Sequence, residues 1–127
     1  MSFAAGQRWT YRAPMGIEAS RLVIGAILKF EGSSSIICCS VTGAPRRHSD
    51  GSIDSVTIPF LPMSEAALTA TVVAQDGLEE PAAAFAEKLQ EWSNDPRGLS
   101  TFTVPFDGYL DHLIAHQMAQ IVGLNAA

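Results

Sequence analysis

A chain of 127 residues, 47% hydrophobic and 17% charged, can fill one core, which excludes an intrinsically disordered chain and leaves residues 1–127 to be read as a single α+β domain. A net charge of −5 with a pI near 5.0 excludes general affinity for nucleic acid, because phosphate binding needs a dense basic footprint. No run approaches the ~20 apolar residues of a membrane span, and residues 1–6 lack the charged, then apolar, pattern of a secretory signal, so the cytoplasm is the expected compartment.

Residues 7–12 alternate, with Trp9 and Tyr11 on one side and Arg8, Thr10 and Arg12 on the other, the pattern of a half-buried strand. Pro14 and Gly16 punctuate it. Two apolar, β-branched runs follow, at 20–30 and 35–43, joined by a glycine and serine loop at 31–35, and they predict a central antiparallel hairpin. By period 2, Leu22, Ile24, Ala26, Leu28 and Phe30 fall on one face, while Val23 and Ile27 leave the other face partly apolar as well. A strand apolar on both faces is expected to be covered on both. Cys38 and Cys39 are adjacent in the return strand and point to opposite faces, poorly placed to bridge each other, so buried thiols are expected.

Residues 44–52 are rich in turn formers and read as the longest loop of the sheet region, where Arg46 and Arg47 beside Ser49 and Gly51 could hold an anion. Residues 55–60 alternate again with Val56, Ile58 and Phe60 inward, and Pro59, which cannot donate to a ladder, makes this an edge strand or a strand end. Ser64 can cap a short helix over 65–73 with Ala67, Leu68 and Val72 on its apolar side, and residues 75–78 read as a turn. Glu79, Glu80 and Pro81 suit the start of a second helix. Its Phe85, Leu89 and Trp92 recur at helical spacing and are expected to share one core with Trp9 and Tyr11. Residues 100–104 read as a further strand, and 107–123 as a last helix carrying Leu110, Leu113, Ile114, Met118 and Ile121 on one stripe. The fold expected from this order is α+β: an antiparallel β-meander packed against two to three helices, with a partly closed barrel as the alternative closure.

His112 and His116 lie one helical turn apart, a spacing that can chelate a transition metal, but no third ligand accompanies them, so neither a metal nor a cofactor is expected. A Gly-x-Ser-x-Gly elbow and the glycine-rich nucleotide loops are absent from the sequence. Charge is distributed unevenly: residues 1–60 hold six basic against four acidic residues, and 61–127 hold two against nine. Arg8, Arg12, Arg21 and Lys29 fall on strands of one sheet, so the candidate ligand-binding residues are Arg8, Arg12, Arg21, Arg46 and Arg47. The expected function is a non-enzymatic binding or interaction module. It would meet an anionic small molecule, an acidic protein or a second copy of itself, without nucleic acid or membrane. The alternative is a small hydrolase or metal-dependent enzyme using His112 and His116.

Phe3, Gly6, Trp9, Tyr11 and Arg12, then Glu18, Ser20, Arg21, Leu22 and Ile24, and later Ile58, Pro59, Leu61, Pro62, Met63 and Ser64 followed by Ala67 and Leu68, form a pattern over roughly the first half of the chain. It resembles an uncharacterised family of small cytosolic bacterial proteins. That family more often has histidine where this chain has Phe60, which argues against a catalytic role at that position. The resemblance implies a bacterial source and no known activity, and it transfers no catalytic or binding residue.

Overall fold

The computed structural model describes residues 3–13, 16, 18–96, 101–106 and 108. Five antiparallel strands form one sheet, β1 (Gln7–Tyr11), β2 (Arg21–Phe30), β3 (Ser33–Arg47), β4 (Ile53–Ser64) and β5 (Val72–Leu78), in the order β4-β3-β2-β1-β5. Two helices accompany them among the described residues, α1 (Glu65–Thr71) and α2 (Phe85–Ser93). The expected helix over 107–123, with its two histidines, lies outside the described residues.

The central hairpin is as expected, and tighter. Phe30 pairs with Ser33, so the turn shrinks to Glu31 and Gly32, where Gly32 takes a φ of 76° that only glycine adopts without strain. The predicted facing of β2 is corrected by a bulge. Ile24 opposes Cys39 while Ala26 opposes Cys38, so Gly25 is an extra residue and the strand changes face there. Leu22 and Ile24 point into the main core, and Ile27, opposite Ile37, takes over where Ala26 and Leu28 were expected.

That core packs Trp9, Tyr11, Leu22, Ile24, Ile37, Cys39, Val41, Leu61 and Met63 against Ala67 and Leu68 of α1. Ser64 caps α1 by accepting from the Ala67 N–H at 3.1 Å. The helix is shorter than expected and ends at Thr71, because Val72 and the residues after it pair with β1 instead of turning. The β-branched residues Val72 and Val73 favour that extended course. Since α1 starts where β4 ends and stops where β5 begins, it crosses from one sheet edge to the other. Seven helical residues rise about 10 Å, whereas four strand spacings in a flat sheet span about 19 Å, so the sheet must curl around the helix. It is not a barrel: β4 pairs with β3 and β5 with β1, and the two edges do not join.

The single core expected for Trp9, Tyr11, Phe85, Leu89 and Trp92 is replaced by two layers. Val23, Cys38 and Ser40 are buried on the opposite face from Trp9 and Tyr11, and there α2 docks. Phe85, 4% exposed, sits directly over Gly25, and its ring and that of Trp92 flank Phe60 at centroid distances of 5.6 and 5.4 Å. Phe60 reaches this face because a second bulge, between the pairs Cys39–Leu61 and Val41–Ile58, places Pro59 and Phe60 opposite Ser40. The helix starts at Phe85 rather than near Glu79, and the Ala82 N–H donates to the buried Ser40 hydroxyl at 3.3 Å.

The expected strand at 100–104 is a single parallel bridge, Met63 to Phe102, flanked by Ser64 N–H to Phe102 O at 3.0 Å and Phe102 N–H to Pro62 O at 2.9 Å. From there Phe106 enters the core beside Tyr11, and its N–H donates at 2.9 Å to the Thr71 hydroxyl, which itself donates to Ala67 O at 2.7 Å. Ser20 donates to Thr42 O at 2.7 Å and takes the Tyr11 hydroxyl at 2.6 Å, so the core's buried hydroxyls are satisfied.

A Cβ at position 25 would overlap the Phe85 ring outright. Gly25→Ala should therefore destabilise the protein by about 1–3 kcal/mol, the range of overpacking. In a Phe85→Ala background the same change should cost much less, and urea unfolding of the four proteins in this double-mutant cycle measures the coupling. Additive losses would show that α2 does not rest on Gly25.

Candidate functional site

Arg8 opposes Val23 in the β1–β2 ladder, and Arg21 lies two residues before Val23, so both arginines share the face away from the main core. The sequence pattern anticipated this pairing of cations and did not reveal what meets them. Arg21 Nε donates to Asp76 Oδ2 at 2.6 Å, and its terminal nitrogen donates to Glu18 O at 2.7 Å and Ser20 O at 2.9 Å. Arg8 Nε donates to the Asp76 carbonyl at 2.6 Å, and Arg8 pairs with Glu79 Oε1 at 3.1 Å. The hydrogen bond from Arg21 holds the Asp76 carboxyl below its ordinary value. Two cations therefore meet two carboxylates, and the pairing ties β5 to the sheet. These side chains are about one-third exposed, where an ion pair contributes little to stability.

The remaining candidates lie elsewhere. Arg12 is exposed just beyond β1. Arg46 and Arg47 belong to the end of β3, because the first four residues of the loop expected over 44–52 are strand and residues 48–52 turn the chain. Arg46 opposes Asp54 and grips it with two bonds, at 3.0 and 2.7 Å, and His48 Nε2 stands 3.1 Å from the same carboxylate. Arg47 opposes Ile53. The five arginines thus separate into a pair beside β5, one residue past β1, and two on the β3–β4 arm. His112 and His116 lie outside the described residues, and among the described residues no group of three or more His, Cys, Asp or Glu side chains could hold a metal.

Burial pushes the Cys38 thiol up to about 12, and burial together with the neighbouring Cys38 pushes Cys39 well above its ordinary value, so neither supplies a thiolate near neutral pH. Among the described residues, hollows of about 360 and 370 Å³ open on the surface. One lies over Ser20, Thr42, Gly43 and Ser55, and the other beside Gly6, Leu78 and Glu79. Of the hydroxyls that line the first, Ser20 donates its proton to Thr42 O and Thr42 donates its own to Arg21 O.

The two sheet edges differ in a way that bears on contacts with other chains. β5 carries two irregularities in its pairing with β1, one at Val73 and one around Asp76 and Gly77, where Gly77 has a φ of 93°. Such bulges twist an edge and spoil it as a template. In β4 the register from Ile53 to Val56 is unbroken, and the bulge between Val41 and Ala44 lies on β3, at Gly43 with φ 66°. Residues 53–58 (Ile, Asp, Ser, Val, Thr, Ile) are therefore a regular, proline-free run. Residues 101–104 cover the outer edge of β4 only around Pro62–Ser64, and among the described residues nothing pairs with 53–58 on that side. Pro59 marks β4 as an edge strand in the sequence; the contrast with β5 needs the register.

No family model matches the chain, and no curated protein or solved structure matches it either.

Arg46, followed by His48, draws the Asp54 carboxyl down to about 2. A folded value below the ordinary aspartate value, about 3.9, stabilises the arm above that pH, and the contribution is lost as pH falls toward the folded value. Carbon-detected NMR should place the Asp54 midpoint near 2 and show it rising toward the ordinary value in Arg46→Ala. An unmoved midpoint would mean that the fork does not hold the carboxylate. The thiols provide a separate check: a colorimetric disulfide reagent should label neither cysteine in the native protein at pH 8 and both after denaturation.

Proposed function

We propose that this chain is a non-enzymatic binding or interaction module whose contact surface is the first half of β4, residues 53–58. One observation carries the reading: of the two edges of the sheet, this one keeps its register from Ile53 to Val56, leaves the extra residue of the next bulge on β3, and has no proline through Ile58 and an exposed apolar side chain in Ile53, while β5 carries two bulges of its own. An extended chain laid beside it would complete hydrogen bonds that alternate residues of a ladder direct outward, the mode called strand addition. Arg8 and Arg21 remain candidates for an acidic ligand, but such a ligand would have to displace Asp76 and Glu79, so the edge takes precedence. The acidic balance supports partners other than nucleic acid.

A soluble peptide of alternating threonine and valine, with lysine at each end, tests the reading by NMR titration of the labelled protein. The amides of residues 53–58 should shift, with weak affinity, while those of Val72–Leu78 stay in place. No change at millimolar peptide, or equal change on both edges, would overturn it.

A further inference from the structure

We infer that the strand added to β4 is the same stretch of a second copy of this chain, paired antiparallel about a two-fold axis normal to the sheet. The inference rests on the reading of residues 53–58 as the contact surface, and it names the partner. Identical antiparallel strands can pair only in registers that keep side chains of the same face together, because a slip of one residue puts the core face of one copy beside the outer face of the other. The allowed registers near the middle of the run are centred on Ser55 or on Val56. Centred on Ser55, Ile53 meets Thr57 and Asp54 meets Val56. Centred on Val56, Asp54 meets Ile58 and Ser55 meets Thr57. In both, the two Asp54 carboxylates are kept from facing each other, and each is already neutralised by Arg46 of its own chain at 2.7 and 3.0 Å. The run is thus complementary to itself: β-branched and hydroxyl side chains face one another, the single charge is spent internally, and Ile53, 47% exposed, gains cover.

The bulge at Gly43 matters here. The extra residue sits on β3, so β4 stays straight where the second copy must lie, whereas β5 takes its bulges on itself. A ladder of about five residues is small beside the ~1,200 Å² or more of a stable interface, so the dimer is weak and reversible. Each copy also carries a net charge of −5. Copies repel at long range, and salt screens that repulsion, so association strengthens as salt rises. This sign separates edge pairing from contact between the basic strand half and the acidic half of another copy, which salt would weaken.

The test is sedimentation equilibrium of the full chain over a wide concentration range at low and high salt. The wild type should dimerise more strongly at high salt. Ser55→Lys, at an exposed position, sets lysine near lysine across the axis and should weaken dimerisation about tenfold or more. Ala74→Lys, equally exposed on β5, should leave it unchanged. Should Ser55→Lys lose its native circular dichroism, Ile53→Lys at the exposed end of the run takes its place. A wild type that stays monomeric at millimolar concentration, a dimer weakened by salt, or a dimer that survives both β4 variants overturns the inference. If the threonine and valine peptide still binds residues 53–58 in a protein that never dimerises, the interaction module stands and the second copy alone is excluded.

Discussion

The contact between Gly25 and the Phe85 ring is the constraint on which the rest of this structure depends. A strand that runs straight keeps one fixed set of side chains on each face, and β2 without a bulge would have held Leu22, Ile24, Ala26 and Leu28 on one side together. The extra residue at Gly25 switches faces in mid-strand and leaves a place without a Cβ, into which an aromatic ring fits. Both faces of the central strand become buried, one under α1 and one under α2. The bulge also adds local twist, as do those at Gly43 and at Pro59 with Phe60, and the curled sheet brings its two edges close enough for a seven-residue helix to cross between them.

The edges are then handled differently. β5 is pinned from the side by Arg8 and Arg21, whose charges are spent on Asp76 and Glu79, and its backbone is kinked where those arginines reach it. Charge and irregular pairing work together there: the residues that hold the edge in place also make it a poor template. The first half of β4 has neither device. Its ion pair, Arg46 with Asp54, runs back into the sheet across the ladder. A protein that blunts one edge and leaves the other regular has an asymmetric surface, and strand addition is the contact such an edge makes most readily.

Local chemistry made much of the fold legible in the sequence. The central hairpin, the Ser64 cap, the inward Trp9 and Tyr11 and the edge character of the strand with Pro59 each depend on residues within a few positions of one another. So does the placing of Arg8 and Arg21 on one face, since it needs only period 2 and one antiparallel pair.

What the tertiary structure decided lies at long separation. Arg21 and Asp76 stand 55 residues apart, and Arg8 and Glu79 stand 71 apart, so no window of sequence shows that the basic pair is already neutralised. Val72–Leu78 becomes a strand because β1 offers it a ladder, although Gln75, Asp76 and Gly77 by themselves favour a turn. The division of the aromatic residues into two layers follows from two bulges, at Gly25 and at Pro59 with Phe60, that no local spacing in the sequence announces. Propensity and periodicity are properties of neighbours along the chain, and they determined the elements. Register, facing and charge pairing are properties of neighbours in space, so only the folded sheet could decide which surfaces this protein keeps for itself and which it leaves open.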